Sequence, residues 1–257
     1  MRFASLGSGS AGNALIVEAG TTRLLLDCGF GIREIVNRLA RYDIPPESLN
    51  GILVTHEHDD HAGGVFKFAN KYRIPVWLTH GTLTMSERHF PSQSELKIHI
   101  IDSHESLSIQ DLEVHPFPVP HDAREPVQFT FSDGRRKLGV LTDTGASTAH
   151  IEQMLSGCDA LMLECNHDID MLMNGPYAMP LKQRVKSRLG HLDNASASEL
   201  LSRLDNSKLQ HIVAAHLSAK NNHPQLVRKA LSEVLNCKEE WIGIADQSAG
   251  FDWRKLE

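Results

Sequence analysis

Six consecutive residues, His56-Glu57-His58-Asp59-Asp60-His61, hold the densest store of metal-binding side chains in the sequence. They follow an apolar run, Gly51-Ile52-Leu53-Val54-Thr55, and precede a stretch that can turn helical. On a loop leaving a strand, His56 and His58 point to one side, because alternate residues of an extended chain share a face. Asp60 and His61, at the start of the following helix, can turn back beside them. One zinc-like ion needs only three or four ligands, so this density predicts two neighbouring ions. The competing reading, a wet polar loop, does not account for a hydrophobic strand leading straight into the cluster.

Further ligands must come from distant strand ends, where the main chain is fixed and the side chain faces a cleft. His121 follows Leu112–Val119, Asp143 follows Lys137–Leu141, and His216 follows His211–Ala214. A carboxylate such as Asp143 has two oxygens and suits a bridge between two ions. His115 lies inside its strand and His211 at the start of one, so both are set aside. Asp27, at the end of Arg23–Asp27, is expected to steady the ligand loop through hydrogen bonds rather than bind metal.

Two ions about 3.5–4 Å apart acidify the water between them and offset charge on a phosphate in the transition state. The cluster therefore predicts hydrolysis of a phosphate ester, with Asp60 as both ligand and orienter of the attacking hydroxide. His191 is the first candidate for the acid that protonates the leaving oxygen, and His167 the second. Phosphate contacts are expected from Ser8, Ser10 and Asn13 in the glycine-rich loop 7–13. Lys182 and Arg184 on a basic helix, and Asn221 and Asn222 beyond His216, are further candidates. Tyr177 and Phe30 are candidates to stack on a base. The loop lacks the spacing and the lysine-serine pair of a nucleotide-triphosphate site, which excludes that class.

The elements that must carry these groups read as short strands and helices. Ala14–Glu18 and Arg23–Asp27 form a hairpin, Ile32–Tyr42 has helical apolar spacing, and a helix runs from about Asp59 to Lys71. Val76–Leu78, Lys97–Ile101, Leu112–Val119, Val127–Phe131 and Lys137–Leu141 are strands, with Asp133-Gly134 as a hairpin turn. Helices are then expected over Ser147–Leu155, Pro180–Leu189, Ala195–Leu204 and Pro224–Leu235. Strands are expected over Ala160–Leu163, His211–Ala214 and Trp241–Ile244. The ending Lys255-Leu256-Glu257 carries no signal. Two β-rich halves with interleaved helices and no linker predict one α/β (α+β) domain over residues 1–257, two sheets face to face with helices outside.

Histidine is abundant, with 15 copies in 257 residues, which suits a metal protein. The formal charge of −6 argues against a broad nucleic-acid coat and leaves room for a local basic groove. Cys28, Cys158, Cys165 and Cys237 are too scattered for a thiolate site or a disulfide scaffold. No run is long enough to cross a membrane and the start lacks a secretion signal, so the expected home is cytoplasmic.

Asp27, the 56–61 cluster, His121, Asp143 and His216 together resemble the metallo-β-lactamase fold superfamily, whose members are four-layer αββα sandwiches with metals at one edge of the sheets. The resemblance implies His56, His58 and His121 on a first metal, Asp60, His61 and His216 on a second, and Asp143 between them. The segments 7–13, His121-Asp122-Ala123, 163–168, 190–194 and 216–222 are similar to the bacterial YycJ/WalJ branch. That implies 5′-to-3′ exonuclease action on DNA in DNA repair. True lactamases commonly place a cysteine on the second metal. Here Cys158 and Cys165 do not stand at position 143, so β-lactam hydrolysis is disfavoured. No inserted RNA-binding arm or extra nuclease domain is evident. The nitrogen and oxygen ligand set suits zinc, manganese or iron. The other readings are a small-molecule phosphodiesterase or another hydrolase of the same fold, and a non-catalytic metal-stabilised binding protein.

Overall fold

In the computed structural model, which describes residues 1–92 and 95–257, short apolar strands assemble into two seven-stranded sheets. The first holds β1 (Arg2–Gly7), β2 (Ala14–Ala19), β3 (Thr22–Leu26), β4 (Gly51–Leu53), β5 (Val76–Leu78) and β6 (Ile98–Ile100) in sequence order. The second holds β7 (Leu107–Ile109), β8 (Leu112–Pro118), β9 (Val127–Ser132), β10 (Lys137–Leu141), β11 (Ala160–Glu164), β12 (His211–Ala215) and β13 (Gly243–Ile244). A last strand, β14 (Phe251–Lys255), returns to the first sheet and pairs antiparallel with β1, Arg2 opposite Lys255. Both sheets change character half-way: β14, β1, β2 and β3 run antiparallel and β3 to β6 parallel, while β7 to β10 run antiparallel and β10 to β13 parallel.

The helices are α1 (Ile32–Ala40), α2 (Asp59–Ala62), α3 (Val65–Tyr72), α4 (His80–Ser86), α5 (Ala149–Leu155), α6 (Ile169–Asn174), α7 (Met179–Val185), α8 (Asn194–Arg203) and α9 (Pro224–Leu235). Three apolar cores separate four layers. Between the sheets, Phe3, Val17 and Leu24 meet Val114, Phe129 and Val140. Behind the first sheet, Ile35 and Leu39 of α1 and Phe66 and Phe68 of α3 cover Ile16, Leu25 and Ile52. Behind the second, Ile151 of α5, Leu200 of α8 and Leu231 of α9 cover Leu161, Leu163 and Ile212. Strands covered on both faces lose polar alternation, which is why β2 is buried along its whole length. Each such side chain contributes about 1.5–3 kcal/mol. The αββα sandwich is therefore present as expected.

Several elements differ from the sequence reading. The expected helix from Asp59 to Lys71 is two helices, broken at Gly63-Gly64. A Cβ on Gly64 would stand 1.9 Å from the Phe30 carbonyl oxygen, so the break lets the loop after β3 come into contact. The helix expected over Pro180–Leu189 stops at Val185. The chain then folds back, His191 N bonding Val185 O at 2.8 Å. α4, β7, α6 and β14 have no counterpart among the elements expected from the sequence. The chain ending is also structured: Leu256 is buried and its N–H bonds Met1 O at 3.0 Å. Among the described residues, no helix is long and apolar enough to cross a membrane.

Candidate metal centre

The chemistry gathers where strands end at one edge of the sandwich. Asp27 follows β3, the 56–61 cluster follows β4, His121 follows β8, Asp143 follows β10, Glu164 closes β11 and His216 follows β12. Clefts beyond the carboxyl ends of parallel strands are the usual place for ligands in such sheets. Asp27, Asp143 and His216 have left-handed backbones with φ of 60°, 50° and 56°. Such conformations cost a non-glycine residue of order 1 kcal/mol or more and persist where neighbours over-determine them. The Asp27 N–H bonds Leu53 O at 2.8 Å, and the His216 N–H bonds Ser8 Oγ at 3.0 Å. Gly29 lets α2 sit against the β3 loop: a Cβ there would lie 1.9 Å from Asp60 O.

Three imidazole nitrogens converge in the first cluster. His58 Nδ1 lies 3.0 Å from His56 Nε2 and 3.3 Å from His121 Nε2. Ligands held at 2.0–2.1 Å around a tetrahedral ion stand about 3.3 Å apart. In the second cluster, Asp60 Oδ2 lies 3.5 Å from His61 Nε2 and 3.4 Å from His216 Nε2. Asp143 Oδ2 is buried and makes no aligned hydrogen bond, although His61 Nε2 is only 3.0 Å away. In the metal-free protein a proton on His61 balances this pair, and a common cation could take its place. Donor atoms of Asp143 group with those of His56 and His61 on one side and His216 on the other. These residues fit two divalent ions.

Most of the imidazoles are fixed through the ring nitrogen that faces away. His56 Nδ1 donates to Thr55 Oγ1 at 2.9 Å, and Thr55 Oγ1 in turn donates to Asp27 Oδ2 at 2.9 Å. His61 Nδ1 donates to Asp27 Oδ2 at 2.7 Å, and His121 Nδ1 to Gly190 O at 3.1 Å. His216 Nδ1 donates to Glu164 Oε1 at 3.1 Å. Each bond sets the tautomer that leaves Nε2 bare, the form a metal needs. Glu164 also receives His191 Nδ1 at 2.9 Å, Thr144 N at 3.0 Å and Leu192 N at 3.2 Å.

Burial, reinforced by neighbouring imidazoles, holds His56 and His121 below the ordinary histidine range, so both are neutral at pH 7. Burial presses the same way on His61 and His216 and is overridden by carboxylates. Asp143, Asp60 and Asp27 raise His61 well above its ordinary value, and Asp143 with Asp60 and Glu164 lifts His216 to about 10. Asp143 is held well below the usual carboxylate range by His216 and His61 despite its burial, and Glu164 is drawn down to about 2 by His191 and His216. Two divalent cations would replace the protons that balance this acidic pair.

A cavity of about 360 Å³ opens over the cluster. Ser10, Arg184 and His191 line it, beside Asp60, Asp143 and His216. Asn13 lies deeper, its Nδ2 3.0 Å from His61 Nε2, and Ser8 supports the His216 backbone. Other expected substrate and acid groups are placed elsewhere. Lys182 is buried and its ammonium donates to Met173 O at 2.7 Å, because the side chain turns inward from a short helix. Asn222 is buried between Cys165 O and the Asn194 side chain, and Asn221 folds onto Ser218 Oγ. His167 is fully buried against Asn166 and does not line the cavity. Phe30 is core, with the Arg38 guanidinium 4.0 Å over its ring. The reading missed Glu164, which the strand-end rule applied to β11 would have found. It also gave no role to Thr55, which links His56 to Asp27.

The sequence matches the beta-lactamase superfamily domain over residues 22–216. The chain belongs to the metallo-β-lactamase superfamily. Within this superfamily it is 34% identical over 245 residues to the exodeoxyribonuclease YycJ of Bacillus anthracis, covering 95% of this chain and 93% of that one. It is 31% identical to the exodeoxyribonuclease WalJ of Streptococcus pneumoniae, covering 95% and 91%. The metallo-β-lactamase fold protein YhfI from Bacillus subtilis superposes with a TM-score of 0.77 at 17% identity, covering 98% of each chain. Zinc-bound PqqB from Methylobacterium extorquens superposes at 0.76 and 17% identity, covering 100% of each. This superfamily member is thus a metal-binding hydrolase homologous to YycJ/WalJ-like exonucleases.

Proposed function

We propose that the protein is a two-metal phosphodiesterase that removes nucleotides from an end of DNA, in the 5′-to-3′ direction, as a cytoplasmic DNA-repair exonuclease. The observation that carries this reading is the likeness to two exodeoxyribonucleases over 95% of the chain. The ligand geometry supports it: an aspartate, Asp143, lies between the two clusters, where it can face both ions.

His56, His58 and His121 would hold one ion and Asp60, His61 and His216 the other, with Asp143 between. Zinc, manganese and iron all suit these donors. Bound divalent ions supply Lewis acidity, lowering the pKa of water and offsetting phosphate charge. The chain supplies position. Asp60, partly exposed to the cavity, would aim the attacking oxygen. His191 is raised above its ordinary value by Glu164, which outweighs its burial, and is the proton donor for the leaving oxygen. Glu164 fixes its Nδ1, so Nε2 carries the proton to be given. Ser10 and Arg184 contact the phosphates. His167, buried away from the cavity, has no part in this scheme.

The test is end-labelled DNA, single-stranded and duplex, incubated with the protein loaded with manganese, zinc or iron, and D143A as control. Release of nucleotides from the 5′ end is expected. A small diester cut while DNA ends survive would favour the second reading, a small-molecule phosphodiesterase, which the net charge of −6 supports.

A further inference from the structure

The rim of the cavity has two arginines, and each is tied to a carboxylate. Arg88 Nη2 lies 3.0 Å from Asp59 Oδ1, and Arg184 Nε lies 2.6 Å from Asp122 Oδ2. All four residues line the cavity. Each pair sums to no net charge, so the rim offers a polyanion little long-range attraction. Beyond the proposed ions on the cavity floor, a strand end needs a further hold.

Apolar side chains also line the cavity, Leu181 and Val185 among them. Of the eight large apolar side chains exposed among the described residues, four belong to the stretch from α6 to the turn after α7: Ile169, Met179, Leu181 and Leu189. Leu181 lines the cavity with Tyr177, on the same side as Arg184. Leu189 is adjacent, since its carbonyl accepts the Asp122 N–H at 3.0 Å. The Tyr177 ring has the Lys220 ammonium 5.6 Å from its centroid. Isolated exposed leucines are ordinary, but a group continuous with the site is the mark of a binding surface. Nucleobases present flat apolar faces, and unstacked bases lie on aromatic and aliphatic side chains. Lys186 and Arg188, exposed in the same turn, carry charge of the sign the backbone needs.

Resting on the reading of the site as a DNA exonuclease, we propose that Tyr177, Leu181 and Leu189 form a platform on which an unpaired terminal base lies, so that the strand is gripped by base as well as by phosphate.

The probe is a pair of 5′-phosphorylated oligodeoxynucleotides, one intact and one abasic at its two terminal positions, bound to the metal-loaded full-length protein. Phosphorothioate linkages slow cleavage during binding. The intact strand is expected to bind about tenfold tighter than the abasic one, the range of one stacked base. Y177A with L181S should bind the intact strand about tenfold more weakly and the abasic strand unchanged. L189S alone, at the surface, gives the same ratio in a milder form should the double variant fold poorly. Equal binding and equal cleavage of intact and abasic strands by wild type would overturn the platform and leave the exonuclease reading standing. A dimer that L189S converts to monomer would show instead that a second copy of the chain covers this face. Failure of wild type to cut any DNA would overturn the exonuclease reading itself.

Discussion

Glu164 Oε1 lies 3.1 Å from Nδ1 of His216, so a fully buried carboxylate sets the tautomer of a proposed metal ligand. The same oxygen receives His191 Nδ1. One side chain thus fixes a ligand and the proposed proton donor together. In E164Q the two carboxylate oxygens become one amide oxygen and one NH2, and two of the four donors now face hydrogens. Metal affinity should fall about 10–100-fold for one of the two ions. Titration with a chromophoric chelator reads this directly, and two unchanged affinities would count against the assigned role.

Asp143 stands between the clusters with a buried oxygen left without a hydrogen bond. D143A should bind fewer than two equivalents of metal after dialysis, measured by elemental analysis, and lose at least 100-fold in diester cleavage. Its circular dichroism should keep the wild-type shape, with stability lowered because alanine then sits at a φ of 50°.

The metal-free protein should lose stability as pH rises from neutrality. His216 is lifted from an ordinary 6.5 to about 10 in the folded state. A raised pKa means that the folded form holds the proton more tightly. Its contribution is fully present below about 6.5 and is lost as pH climbs through about 10. Melting curves of chelator-treated protein between pH 6.5 and 10 should fall steadily. At pH 7 the incoming ions must also displace protons from His61 and His216. Calorimetry in two buffers of different ionisation enthalpy should therefore show net proton release.

Asp27 accepts the Thr55 N–H at 2.8 Å, the Thr55 hydroxyl at 2.9 Å and His61 at 2.7 Å. D27A strands these donors in a buried place and puts alanine at positive φ. A loss of about 3 kcal/mol is expected in denaturant unfolding, with weakened binding at the His61 ion.

The residues that could hold metal were legible because their signal is partly local. The 56–61 cluster is a single run, and strand-end logic needs only the position of each strand. Glu164 was harder to place, since its value depends on β11 lying between β10 and β12. Substrate contacts depended on where side chains turn. Lys182 faces Met173 O and Asn222 faces Asn194, partners that helical spacing does not announce. The two-sheet sandwich followed from strand and helix patterning, whereas β14 depended on a pairing with β1 from the other end of the chain.

The glycine-rich loop beside the cavity is held by Gln247, whose side chain accepts Ala11 N–H and donates to Gly12 O, both at 2.8 Å. That places one wall of the reaction site under the control of a residue 236 positions downstream of Ala11. At synthesis rates of about 5–20 residues per second, the loop emerges roughly 12–47 s before its clamp. A nascent chain therefore displays its first histidines well before the loop beside them is clamped in place.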